Sequence, residues 1–170
     1  GGEETYCSYG IPWANVSNTP FREYKHWVHE GGIATPFIVH WPEGLKAKGE
    51  LRHQAAQLPD VMATFLDICG VDYPETYEGK NIKPLEGVSL VSTFTNKPHG
   101  RKVLYWEHEG NRAVRKGKWK LVAKTNQPWQ LHNMDEDRCE LIDLAEKHQD
   151  IVEELISLYD VWAKRCDVLE

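Results

Sequence analysis

Residues Asn18 to Gly44 read NTPFREYKHWVHEGGIATPFIVHWPEG and set a single lysine, Lys25, among aromatic residues and histidines ahead of an apolar run. Glu30-Gly31-Gly32 reads as a turn, where missing side chains permit either a positive φ or close approach by another backbone segment. Pro36 then opens Phe37-Ile38-Val39. Residues 36 to 41 are apolar without alternation, the pattern of a strand buried on both faces of a parallel sheet. The expectation is a cation held near the end of a sheet strand.

On the N-terminal side, residues 1 to 24 have little periodicity and much Tyr, Gly, Pro and Asn, so they are expected to form a covering loop. On the C-terminal side, Leu58, Val61, Met62, Phe65, Leu66 and Cys69 recur at helical spacing. Pro59 suits a first helical turn and Gly70 suits a C-cap. Leu85 to Phe94 reads as a short apolar turn. Asn96-Lys97-Pro98-His99-Gly100 is a turn-rich break, after which the pattern changes to strands. Those strands are residues 103 to 106, 112 to 114, 119 to 122 and 129 to 133, with a hairpin at Lys116-Gly117. Ile151, Val152, Leu155, Leu158, Tyr159 and Trp162 then share one face of a last helix that should pack on the sheet.

The chain has 170 residues, seven Trp and seven Tyr, enough to build a core or line a sugar or aryl pocket. A formal net charge of −6 argues against nucleic acid, whose binding draws on clustered Lys and Arg. No apolar run is long enough to cross a membrane as a helix. The four cysteines, Cys7, Cys69, Cys139 and Cys166, have no zinc-site spacing, and Cys69 reads as a small buried hydrophobe.

The arrangement K-x4-E-G-G-x3-P-(F/L)-I-x2-W-P, carried by Lys25, Glu30-Gly31-Gly32, Pro36-Phe37-Ile38 and Trp41-Pro42, resembles the C-terminal half of the catalytic domain of type I sulfatases. These are the arylsulfatase-like members of the alkaline phosphatase superfamily. LPDVMATFLDICG, WEHEGNRAVRKGKWKLV and LHNMDEDRCELIDLAEKH follow the same family's later patterns, so the resemblance spans nearly the whole chain. It implies an α/β fold. Residues 1–97 would be the C-terminal part of the catalytic domain, with its last strand and helix. Residues 98–170 would be an antiparallel four-stranded sheet with a C-terminal helix.

The resemblance further implies a parent enzyme hydrolysing sulfate monoesters of aryl or carbohydrate substrates, with Lys25 binding the sulfate group. Gly1-Gly2 looks like the tail of an S-D-N-G-G strand end, which puts the ligands for calcium or magnesium ahead of this chain. No cysteine here stands in the Cys-x-Pro-x-Arg segment that the family converts to formylglycine, so the chain alone should be inactive. A bacterial parent would be periplasmic or extracellular by the same resemblance. A phosphodiesterase or phosphonate monoester hydrolase of the superfamily, and a non-catalytic module binding sulfated glycans or a protein, are the alternatives.

Lysine is a compact point charge suited to a sulfate oxygen. His108, between Glu107 and Glu109, is a candidate for a sugar hydroxyl or sulfate contact, or equally for a structural network at a strand end. Arg112 has the same two readings, since a guanidinium binds anions or bridges carboxylates. His26 and His29 do not complete a zinc site by themselves and read as loop or supporting residues. Arg22 reads as a support for the loop. Trp13, Tyr24 and Trp27 offer an aromatic wall or plain packing. A strand at Phe37 to His40 without neighbours would expose an edge and favour self-association.

Overall fold

The computed structural model describes residues 2–5 and 10–168, so Gly1 and Cys7 lie outside the described residues. Along the chain run α1 (Gly10–Ser17), α2 (Glu30–Ile33), α3 (Pro59–Cys69), the short strands β1 (Thr76–Tyr77) and β2 (Lys80–Asn81), then β3 (Val103–His108), β4 (Asn111–Lys116), β5 (Trp119–Ala123), β6 (Gln130–Asn133) and α4 (Gln149–Arg165). They fall into two compact units, Gly1–Pro36 with Tyr105–Glu170, and Phe37–Leu104.

In the first unit β3-β4-β5-β6 form a four-stranded sheet in chain order. Arg112 to Lys116 face Ala123 to Trp119 across the β4–β5 hairpin, with Gly117 at φ 57 in the two-residue turn where positive φ was expected. Glu109 and Gly110 make the β3–β4 turn with φ of 51 and 80, the positive pair a type I′ turn requires. Because side chains alternate along a strand, the sheet has two distinct faces. One carries Val114, Leu121 and Leu131 and receives α4 through Leu155 and Tyr159. Trp162 stacks on Tyr105 there at 5.0 Å and 3°. The other face carries Trp106, Ala113 and Val122, against which Val28 and Ile33 of the N-terminal segment pack.

The second unit holds α3. Its Pro start and Gly70 C-cap at φ 62 agree with the helix read from sequence, but its buried residues are Asp60, Ala63 and Thr64. The Asp60 carboxylate accepts N–H groups of Gln57 and Val88, each at 2.8 Å, and pairs with Arg101. Burial raises its pKa, yet the Arg101 and backbone donors outweigh that and hold it below the usual carboxylate value. Thr64 Oγ1 accepts the Leu90 N–H at 2.9 Å, leading into a 3₁₀ turn at Val91–Thr95.

Three expectations need correction. Residues 1 to 24 are not all loop, since α1 lies within them. Residues 36 to 41 form no strand, and Phe37 and Ile38 are 60% and 87% exposed; a strand needs a paired neighbour, and none of the described residues supplies one. The edge-pairing argument for self-association at Phe37 to His40 therefore loses its strand. Cys69 is exposed, together with Met62 and Phe65, because no described residue covers that face of α3.

Candidate functional site

The Lys25 loop is locked from beneath by Gly31 and Gly32. A Cβ on Gly31 would lie 2.1 Å from the Glu23 carbonyl oxygen, and one on Gly32 would lie 2.0 Å from that of Trp27. Of the two reasons for glycine considered from sequence, close approach is the one that applies. Gly31 N–H donates to Arg22 O at 2.9 Å, which folds residues 22 to 31 into a closed loop with Lys25 on its outer side. Lys25 is exposed and makes no hydrogen bond or ion pair among the described residues.

Under this loop lies a buried charge network. Lys120 is fully buried on β5, with Nζ 3.1 Å from Glu30 and 2.8 Å from Glu140. The Glu140 Oε1 contact is ionic, because its alignment does not make a hydrogen bond. Glu140 Oε2 accepts the Glu30 N–H at 2.8 Å, and Arg138 donates to Glu30 Oε2 at 2.8 Å. Arg22 donates to the Glu140 carbonyl at 2.9 Å, the loop-holding role expected for it. Burial raises the Glu30 pKa, but Lys120 and Arg138 together hold it below the ordinary value.

His29 sits beside this network at 1% exposure, with Nδ1 unpartnered among the described residues. Burial, reinforced by the Arg22, Lys120 and Lys124 cations, lowers its pKa from 6.5 to about 3, so it is neutral at physiological pH. His132 is also buried and shifted down by burial, despite the opposing Glu140 charge. His29 is thus a packed structural imidazole.

His26 behaves differently. It stands at φ 99, a conformation few residues other than glycine adopt, and remains partly exposed. Its Nδ1 lies 3.0 Å from Glu109 Oε2, and its ring meets that of His108 edge-on at 5.4 Å. The carboxylate flanking His108 therefore pairs with His26 instead. One buried amide fixes the group: Asn111 Nδ2 donates to the His108 carbonyl at 2.9 Å and reaches the His26 carbonyl at 3.5 Å, while Oδ1 accepts Thr125 N–H at 3.2 Å.

His108 thus meets His26, the residue that follows Lys25 in the chain, whereas Arg112 lies apart from them. Asn111 and Ala113 face the Lys25 loop, so Arg112 between them points to the α4 face, its guanidinium 4.6 Å over Trp129. Trp27 packs against His26 and beneath the Lys124 ammonium, while Trp13 is 64% exposed. Sequence reading missed Asn111, Lys120 and Glu140. The positive-φ demand of Glu109-Gly110 hinted at the first, but a lysine alternating among strand residues gives no sign that it is buried.

A family model described as N-sulphoglucosamine sulphohydrolase, C-terminal, matches residues 22–161. An uncharacterised sulfatase of Schizosaccharomyces pombe is 28% identical over 99% of this chain and 32% of its own length. An arylsulfatase of Klebsiella aerogenes is 33% identical over 60% of the chain and 22% of its own length. A solved structure from work on glycosaminoglycan metabolism by Bacteroides thetaiotaomicron superposes with a TM-score of 0.68 at 21% identity, covering 81% of this chain and 31% of that one. The chain spans about a third of the length of these relatives or less.

Proposed function

The chain belongs to the N-sulphoglucosamine sulphohydrolase C-terminal family of the sulfatases, and on that premise we propose that it is the C-terminal part of an enzyme hydrolysing sulfate monoesters of aryl or carbohydrate substrates, with Lys25 binding the sulfate group. The observation that carries this reading is an exposed, unpartnered ammonium on a loop that two glycines and a buried charge network hold rigid. A fixed cation of this kind is already oriented when an anionic oxygen arrives, so it stabilises charge with little reorganisation. His108 lies on the same side as His26 and is assigned to the substrate opening; Arg112 is assigned to holding Trp129. In this reading residues 1–97 complete the catalytic domain and 98–170 form the subdomain that supports it.

Among the described residues, His26, His108 and Glu109 lie close enough together to hold a metal ion. Imidazole nitrogen suits calcium and magnesium poorly, so these residues do not fit the family's cation. Its ligands and the formylglycine are assigned outside this chain, and the chain alone is expected to be inactive.

The test is turnover of an aryl sulfate ester by the longer protein to which the chain is assigned. Lys25→Ala should lower kcat/KM about 100- to 1,000-fold, the typical effect of deleting one preorganised stabilising group, with Lys25→Arg intermediate. Unchanged turnover in Lys25→Ala would overturn the assignment.

A further inference from the structure

We propose that His26, His108 and Glu109 form a binding site for a zinc ion. One ligand atom from each residue lies within 4.8 Å of the other two, and the His26 Nδ1 to Glu109 Oε2 separation is already 3.0 Å. A tetrahedral zinc with bonds of about 2.0–2.2 Å places its ligand atoms about 3.3–3.6 Å apart. The three groups bracket that geometry, and side-chain rotation of His108, which is exposed, closes the remaining gap.

The donor set chooses the cation. Two imidazole nitrogens are borderline donors that suit zinc and outweigh the single hard carboxylate, so the set favours zinc over calcium or magnesium, and three protein ligands leave a fourth position open. The partial exposure of His26 and the exposure of His108 and Glu109 provide the entry path and leave that position facing solvent. Water or an anionic oxygen can occupy it.

Backbone placement supports the site independently of the side-chain distances. His26 is held at φ 99, a conformation few residues other than glycine adopt, and Glu109 at φ 51 by the β3–β4 turn. Asn111, 1% exposed, ties the His108 carbonyl to that of His26 through its amide, while the Glu109-Gly110 turn presents the carboxylate beside them. Holding the backbones of two ligand residues in place limits how far their side chains must move to meet a metal ion. His29 is buried and is not one of the three clustered residues.

Metal uptake by the 170-residue chain is measurable without turnover, so the proposal stands or falls apart from the sulfatase reading. The metal-free, tag-free chain is titrated with zinc by calorimetry and with cobalt by visible absorption, and folding of each variant is checked by circular dichroism. The expected result is one equivalent bound, with the strong visible bands of four-coordinate cobalt. His26→Ala and His108→Ala should each weaken zinc binding at least about tenfold, Glu109→Gln should weaken it comparably, and His53→Ala on the other unit should leave it unchanged. His108→Ala and Glu109→Gln alter exposed residues and keep the test valid if His26→Ala fails to fold. Absence of stoichiometric binding, or unchanged affinity in folded His108→Ala and Glu109→Gln, would overturn the site.

Discussion

Replacing Lys120 by methionine keeps most of the side-chain stem and removes only the ammonium. Lys120 and Glu140 are fully buried and Glu30 is 4% exposed, so water cannot replace the lost charge. Glu30 would retain Arg138, but Glu140 would be left with one backbone N–H as its polar partner in the network. Breaking a buried ion pair from one side costs about 3–5 kcal/mol, because an uncompensated charge stays behind. That loss compares with a total stability of about 5–15 kcal/mol for a typical domain. Urea unfolding followed by tryptophan emission is the assay, since Trp106 lies 5.7 Å from the ammonium. The double variant Lys120→Met/Glu140→Gln should recover at least half of the loss, because it removes the orphaned charge as well. A cost below about 1 kcal/mol, or a double variant no better than the single, would refute the reasoning.

Gly31→Ala or Gly32→Ala should cost about 3 kcal/mol or more by overpacking against backbone carbonyls, whereas Gly117→Ala, with nothing within 4 Å and only its positive φ to oppose it, should cost about 1 kcal/mol; thermal unfolding of the three side by side decides this. Stability should fall on acidification. His29 has a folded pKa of about 3 against 6.5 unfolded, so its contribution is complete above about 6.5 and is lost as pH drops toward 3. His132 moves the same way, and Glu30 and Asp60 add losses once pH falls below their ordinary carboxylate values. A urea midpoint that stays flat from about pH 7 to 5 would contradict the burial of these imidazoles. With Phe37, Ile38, Met62 and Phe65 exposed, the isolated chain should self-associate as concentration rises, and a strict monomer by light scattering would count against that expectation.

Periodicity carried most of the C-terminal part. Strand alternation and Gly117 located the sheet, and the apolar stripe of α4 marked the face that packs on it, because both patterns are local and every residue in them obeys the same geometry. The same alternation, followed one residue further, separates Arg112 from His108, a distinction the motif alone does not make. Long-range pairing was not legible. Lys120 and Glu30 are 90 residues apart, and a lysine flanked by apolar strand residues looks the same whether it faces water or a buried carboxylate. The apolar run at residues 36 to 41 and the apolar stripe of α3 were read as buried because hydrophobicity records what a surface requires, while burial also depends on what lies against it.

The closure of the Lys25 loop also sets a timetable for biosynthesis. Glu30 meets Glu140 across 110 residues, so its partner has not been made when the loop leaves the ribosome. At about 5–20 residues per second, the interval before that partner is translated is about 5–20 s, and closing so distant a contact then adds its own delay. Until that moment Glu30 and His29 remain hydrated, and the nascent loop is open to chaperones and proteases. Interruption of translation between Lys25 and Glu140 would leave an intact lysine with no foundation to stand on.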